Sequence, residues 1–215
     1  FESDELWLAH TLPQVQASYV LLLNLFRDQL DRCGEIDRVQ DAIVQALNES
    51  PDTVLLYNAD DPLCAMVALR VQNKAISFGV GEDLHQQQNK VSDAQMCQRC
   101  SAMFTYEYRQ YGQLGTYSCP NCGFSRPDLD FAAKNAVFGN EITFDVEETA
   151  TGNHVSLRAQ RAGVYMVYNV MAAWLASHVA GVSDEVFQQA VDLFEPQNGR
   201  LQSLTIQGRS VLLNL

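Results

Sequence analysis

The chain has 215 residues, and its 14 Lys and Arg against 26 Asp and Glu leave a formal net charge of −12. Hydrophobic residues make up 47% and charged residues 19% of the chain, which is the composition of a globular protein and excludes a disordered one. The acidity argues against binding to nucleic acid and against docking on an anionic membrane through a basic patch.

The first half of the chain predicts alternating strands and helices. An apolar, β-rich run covers residues 19–26, and apolar residues at helical spacing predict an amphipathic helix over 35–49. Short strands are expected at 53–57 and 75–78, and between them the pair Asp61-Pro62 is typical of a helix N-terminus. This order predicts an α/β fold with a mostly parallel sheet flanked by helices.

The second half of the chain predicts an antiparallel strand pair, two helices and a hairpin. The expected ranges are 141–146 and 154–159 for the pair, 163–180 and 183–194 for the helices, and 201–206 with 210–213 for the hairpin. The most apolar run, 162–181, is interrupted by Asn169 and His178. We therefore interpret it as a buried core helix and expect no membrane span.

Four cysteines have the spacing of a zinc site. They form two Cys-x-x-Cys pairs, Cys97 with Cys100 and Cys119 with Cys122, on either side of residues 101–118. The alternatives are disulfides or redox-active pairs, but this spacing and the absence of a secretory signal favour zinc. The segment 91–126 is thus predicted to be a zinc ribbon inserted into the α/β domain. Because four thiolates leave no open position for water, the ion is expected to be structural.

Several segments of the chain resemble motifs of the Mur ligases. Residues 24–35, which read Asn-Leu-Phe-Arg-Asp-Gln-Leu-Asp-Arg-Cys-Gly-Glu, are similar to the Asn…Asp-His-Leu-Asp…Gly segment of that family. Residues 58–62 resemble its Asn-x-Asp-Asp motif, 163–173 its Asn-Ala-rich helix, and 199–200 its Gly-Arg hinge. The string Arg-Asp-Gln-Leu-Asp-Arg, together with an inserted four-cysteine ribbon, is similar to one branch of the family, the ligase-like subunits that amidate lipid II.

The resemblance implies a fold and a domain arrangement. Residues 1–90 and 127–200 would form an incomplete central ATP-binding domain, and 201–215 would be a hinge hairpin or the start of the C-terminal domain. The sequence contains no Gly-Lys-Ser/Thr phosphate loop, which in the family precedes the segment matched by Phe1-Glu2. The chain also begins without Met, so we expect a piece of a longer protein that is inactive by itself.

The resemblance also implies a reaction. Such subunits use ATP and Mg2+ to phosphorylate the α-carboxyl of D-isoglutamate in the stem peptide of lipid II. Ammonia from a partner glutaminase subunit, GatD, then replaces the phosphate. This chemistry implies a cytoplasmic protein that acts on a lipid-linked precursor at the inner face of the membrane, with lipid II and GatD as partners.

Five residues match positions of the family that bind nucleotide or metal. Asn169 matches an adenine-contacting asparagine, Arg200 the hinge arginine near the ATP phosphates, and Glu2 a Mg2+-binding glutamate. Asp60 and Asp61 follow a predicted strand, where α/β folds place ligands, although Asp61 also suits a helix cap that needs no ligand. The catalytic residues are expected in the C-terminal domain of the family.

Two positions depart from the family pattern and keep a second hypothesis open. Gln29 stands where the family has a metal-binding His, and Met166 stands where it has an Asn. Neither side chain reproduces the chemistry of the residue that it replaces. The alternative is therefore a non-catalytic zinc-ribbon interaction module whose nucleotide site has decayed.

Overall fold

The computed structural model describes residues 2–26, 36–85, 94–160, 163–194 and 202–213. Within these ranges a six-stranded sheet with a parallel and an antiparallel half organises the chain. The segments 27–35 and 195–201, which hold the whole Arg-Asp-Gln-Leu-Asp-Arg string and the Gly-Arg pair, lie outside the described residues.

The first half of the sheet is parallel, as predicted. Strands β1 (Tyr19–Leu22), β2 (Val54–Asn58) and β3 (Ala75–Val80) pair in parallel, and helices α2 (Ile36–Asn48) and α3 (Pro62–Arg70) connect them. The side chains of β2 alternate between two cores: Leu55 and Tyr57 pack with α2 and α3, and Leu56 packs with the helix on the opposite side. Because both faces of β2 are covered, its sequence is almost continuously apolar.

The second half of the sheet is antiparallel. Strand β6 (Phe131–Phe138) lies parallel to β3 on one side and antiparallel to β7 (Ile142–Glu148) on the other. Strand β8 (His154–Ala159) pairs antiparallel with β7 and forms the edge of the sheet. Strand β6 was not predicted, because Lys134 and Asn135 interrupt its apolar pattern. Asn135 has φ 56°, and the register with β7 shifts between Lys134 and Val137.

Two helices of the second half cover the face of the sheet opposite α2 and α3. Helix α4 (Val164–Val179) is the most apolar predicted helix, and α5 (Asp184–Asp192) begins at Ser183, whose side chain accepts a hydrogen bond from the Val186 N–H. The buried residues of α4 pack on strands of both halves of the sheet, β1, β2, β3, β6 and β7, so its interpretation as a core helix is confirmed. Among the described residues no helix is long and apolar enough to cross a membrane.

The remaining elements lie at the N-terminus, in the ribbon and at the C-terminus. A 3-10 turn (Glu5–Trp7) leads into α1 (Leu8–Val15), which was not predicted. The ribbon segment carries the hairpin β4 (Thr105–Tyr111) and β5 (Leu114–Ser118), and it is inserted between β3 and β6. Strands β9 (Gln202–Ile206) and β10 (Arg209–Leu213) form the predicted C-terminal hairpin. The mixed, mostly parallel α/β fold is therefore confirmed, while the domain boundaries stay a prediction.

Candidate functional site

The four cysteines of the two Cys-x-x-Cys pairs come together in the structure. Their sulfur atoms all lie within 4.8 Å of one another, with 3.5 Å between the Sγ atoms of Cys97 and Cys122 and 3.4 Å between those of Cys100 and Cys119. Four thiolates around Zn2+ at a Zn–S distance of about 2.3 Å place their sulfurs about 3.8 Å apart. The observed cluster therefore fits a tetrahedral ion, which would cross-link the two halves of the ribbon.

The two cysteine pairs form turns with the same backbone hydrogen bonds. In the first turn the Cys97 carbonyl accepts from the Ser101 N–H at 2.7 Å, and in the second the Cys119 carbonyl accepts from the Gly123 N–H at 3.0 Å. Ser101 and Gly123 both have a positive φ, 60° and 74°. This left-handed residue after each pair turns the chain so that both cysteines of a pair point at one centre.

The local environment changes the acidity of two of the thiols in opposite directions. Burial raises the pKa of Cys97 to about 12, whereas a hydrogen bond with the Asn121 side chain lowers the pKa of Cys100 to about 6. Cys64, which lies outside the cluster, is fully buried. Zinc binds the thiolate form, so an ion that bound to the ribbon would release protons, above all from Cys97.

The ribbon packs into the core of the α/β fold. Cys97, Cys119 and the ribbon aromatics Phe104, Tyr117 and Phe124 belong to the same buried cluster as residues of α2 and α3. The ring centroid of Tyr117 lies 5.2 Å from that of Phe104 and 5.6 Å from that of Phe124. An ion held by these cysteines would consequently support the central fold as well as the ribbon.

A buried ion pair links the ribbon segment to the carboxyl ends of the sheet strands. Asp60, which follows β2, is fully buried, and its Oδ1 accepts from Arg126 Nη1 at 2.9 Å. Its Oδ2 accepts from the Val80 N–H at 2.9 Å and from the Tyr168 hydroxyl at 2.6 Å. Complete burial raises the pKa of Asp60, and the charge of Arg126 and the hydrogen bonds act in the opposite direction. Because Arg126, Val80 and Tyr168 all donate hydrogen bonds to the side chain of Asp60, these contacts suit its ionised carboxylate form.

The space around Asp60 is restricted by the strand beside it. A Cβ atom at Gly79 in β3 would lie 2.5 Å from Asp60 Oδ1. Glycine at this position therefore allows the carboxylate to approach β3 and to reach both Val80 and Arg126.

Asp61 caps helix α3, as predicted for the Asp61-Pro62 pair. Its Oδ1 accepts from the Leu63 N–H at 2.9 Å, and its Oδ2 accepts from the Leu25 N–H at 2.8 Å. Gln113, in the turn between β4 and β5, donates from Nε2 to the Leu25 carbonyl at 2.9 Å. The cap of α3 and the tip of the ribbon hairpin thus meet at the end of β1.

The acidity of Asp61 makes a prediction about pH dependence. Burial raises its pKa from 3.8 to about 6, against the opposing hydrogen bonds. Between about pH 4 and pH 6 the folded protein therefore keeps a proton that the unfolded chain has released, so the contribution of Asp61 to the free energy of unfolding falls as the pH rises through this range. Asp61→Asn removes this titration. The free energy of unfolding of the variant minus that of the wild type should therefore be about 1 kcal/mol higher at pH 7 than at pH 5.

Urea unfolding of both proteins at pH 5 and pH 7 measures this difference. The exposed Asp52, which lies between α2 and β2, provides a matched control as Asp52→Asn. An Asp61→Asn effect that is equal at the two pH values would contradict the prediction.

Comparison with known proteins finds relatives over the whole chain, although no family model matches it. The MurT subunit of the glutamine-hydrolysing lipid II isoglutaminyl synthase from Streptococcus pneumoniae is 28% identical over 216 residues, which cover 100% of this chain and 47% of MurT. A type C pseudomurein peptide ligase from Methanothermus fervidus superposes with a TM-score of 0.75 at 20% identity, over 96% of this chain and 40% of that ligase. MurF from Thermotoga maritima, solved in complex with ADP, superposes with a TM-score of 0.57 at 13% identity, over 95% of this chain and 36% of MurF.

The resemblance to the Mur ligases is confirmed. The chain is similar to MurT along its whole length and has the Mur ligase fold. It spans about half the length of the curated MurT relatives that it matches.

The structure places the residues that match Mur ligase nucleotide and metal positions in different environments. Asn169 is exposed on α4, and Glu2 is exposed ahead of the 3-10 turn. Asp60 and Asp61 are fully buried, and protein groups occupy their carboxylate oxygens. Arg200 lies outside the described residues. The exposed amide and carboxylate are accessible to a nucleotide and to a cation, and all five ligand roles stay predictions.

The sequence did not reveal which residues connect these positions. Arg126 belongs to none of the motifs in the sequence, yet in the structure it is paired with Asp60. Tyr168 precedes Asn169 in the motif helix, but its spacing is that of an ordinary core residue. No local pattern marks a tyrosine whose hydroxyl reaches a carboxylate that is 108 residues away in the chain.

Proposed function

We propose that this chain is the central part of an ATP-dependent ligase subunit of peptidoglycan synthesis. The observation that carries the proposal is the similarity to MurT over the whole chain. The fold shared with MurF, which was solved with ADP, supports nucleotide binding, and the exposed Asn169 on α4 is a suitable adenine contact. The reaction class is activation of a carboxylate for amide formation.

In the proposed reaction, the α-carboxylate of D-isoglutamate in lipid II attacks the γ-phosphorus of ATP, and ADP leaves. The lone pair of ammonia then attacks the acyl carbon, phosphate leaves with the bonding electrons, and a proton is lost to give the amide. The first step is needed because a free carboxylate is a poor electrophile. Mg2+ supplies charge neutralisation of the transferred phosphoryl group, and Glu2 is the proposed ligand on this chain.

The proposed partner is a glutaminase subunit of the GatD type, which supplies ammonia. MurT is named as a subunit of a glutamine-hydrolysing synthase, and that name supports a partner for this protein as well. The four cysteines are proposed to hold a structural Zn2+. We place the protein in the cytoplasm, where it would act on its lipid-linked substrate at the inner face of the membrane.

The test uses the full-length gene product that contains this chain, co-purified with the glutaminase. With lipid II, ATP, Mg2+ and glutamine, we expect ADP release and conversion of the carboxyl to the amide, followed by mass spectrometry. Asn169→Ala is expected to raise the KM for ATP about ten-fold, because it removes amide hydrogen bonds to the base. Because Asn169 is exposed, its replacement by alanine is expected to leave folding intact.

One outcome would contradict the proposed function, and a second would contradict the separate expectation for the isolated chain. A zinc-loaded full-length protein that neither binds ATP nor amidates lipid II would favour the non-catalytic ribbon module instead. Micromolar ATP binding by the isolated 215-residue chain, measured by calorimetry, would contradict the expectation that this part is inactive by itself.

A further inference from the structure

The ribbon segment contacts the helix that carries Asn169. Tyr168, the residue before Asn169 in α4, is fully buried, and its hydroxyl donates to Asp60 Oδ2 at 2.6 Å. On the ribbon side, the ring of Tyr111 in β4 packs edge-on against the Tyr168 ring, with centroids 5.9 Å apart and an interplanar angle of 75°. The inward side of α4 is thus held by a hydrogen bond and by an aromatic contact.

The hydrogen bond is itself anchored by the ribbon segment. Arg126 Nη1 binds Asp60 Oδ1 at 2.9 Å and also donates to the Val80 carbonyl at 3.0 Å. The Arg126 N–H donates to the Tyr117 carbonyl of β5, and the Gly115 N–H donates to the Asp60 carbonyl, both at 3.0 Å. The Asp60 side chain and backbone are therefore both tied to the ribbon hairpin.

The two neighbouring residues of α4 face opposite environments. Tyr168 points into the core, whereas Asn169 is exposed. Because successive residues of a helix are rigidly related, a rotation or shift of α4 at Tyr168 moves the Asn169 amide by a similar amount. Hydrogen bonds to a base depend on distance and angle, so such a displacement weakens them.

We propose that Tyr168 is a positioning residue for the nucleotide site and that the ribbon segment, through Tyr111, Arg126 and Asp60, sets the placement of Asn169. The proposal rests on the function proposed above, in which Asn169 contacts adenine. It gives the ribbon a role in selecting the base of the nucleotide.

Tyr168→Phe in the full-length protein tests the proposal, because it removes only the hydroxyl that reaches Asp60. We expect the Kd for ATP, measured by calorimetry with Mg2+, to rise about five-fold, while the Kd for GTP stays unchanged. The preference for ATP over GTP should therefore fall. A general loss of structure would weaken both nucleotides alike, so the ratio separates positioning from stability.

Tyr106→Phe is the matched control. The Tyr106 hydroxyl also donates one hydrogen bond, to the Gln113 carbonyl at 3.0 Å, but this bond lies within the ribbon hairpin. We expect this variant to keep the ATP preference of the wild type. Tyr111→Leu provides a second variant, which removes the aromatic contact without touching the buried carboxylate and should lower the ATP preference as Tyr168→Phe does.

The outcomes distinguish this inference from the proposed function. Failure of the wild-type protein to bind ATP would overturn the function and the inference together. A wild type that binds ATP and GTP equally well, or an unchanged ATP preference in both Tyr168→Phe and Tyr111→Leu, would overturn the inference alone. Equal weakening of ATP and GTP in these variants would also overturn it, since that result is structural.

Discussion

Replacing Cys119 with serine is expected to abolish stoichiometric zinc binding and to lower the melting temperature by about 10 °C or more. Cys119 is one of four sulfurs within 4.8 Å, and without its thiolate the two turns of the ribbon lose their cross-link. Its side chain also belongs to the buried cluster that includes residues of α2 and α3, so the loss extends beyond the ribbon. Metal analysis and thermal unfolding under reducing conditions measure both effects.

Cys64 provides the control for this variant. Its thiol is fully buried and lies 3.6 Å from Asp61 Oδ2, outside the four-cysteine cluster. We expect Cys64→Ser to retain one zinc ion per chain, because serine keeps a donor to Asp61 and leaves the cluster intact. A Cys119→Ser variant that still bound one zinc ion per chain would show that these four sulfurs do not hold the ion together.

Arg126→Met is expected to lower the free energy of unfolding by about 3 kcal/mol. The variant leaves the fully buried Asp60 carboxylate without its cationic partner, and it also removes the donor to the Val80 carbonyl. An unpaired buried charge is destabilising because water no longer solvates it. Urea unfolding of the zinc-loaded protein at pH 7 measures the loss.

A double variant and an exposed ion pair test this explanation. Asp60→Asn in the Arg126→Met background removes the unpaired charge, so we expect part of the lost stability to return. Arg158→Met breaks the surface ion pair between Arg158 and Asp192, whose side chains are 51% and 33% exposed. We expect this variant to lower the free energy of unfolding by less than about 1 kcal/mol. Equal costs for Arg126→Met and Arg158→Met would contradict the role of burial.

Local sequence patterns predicted most of the elements. Three predictions rest on patterns among neighbouring residues, and the structure contains all three. They are the amphipathic helix at 35–49, the helix cap at Asp61-Pro62 and the strand pair around Gly152. Strand β6 was missed because its partners β3 and β7 are distant in sequence and supply the pairing that its own pattern does not show. Helix α1 was also missed. It is short and contains Pro13, and a proline in a sequence argues against a helix at that position.

The sequence by itself determined the four candidate zinc ligands, since two Cys-x-x-Cys pairs encode the turns that direct four thiols to one point. Their local spacing is enough because each turn closes on its own backbone hydrogen bonds. Only the tertiary structure decided how the ribbon attaches. The contacts of Asp60 with Arg126 and Tyr168 join residues 66 and 108 positions apart, and a buried carboxylate takes whichever donors the folded chain brings to it.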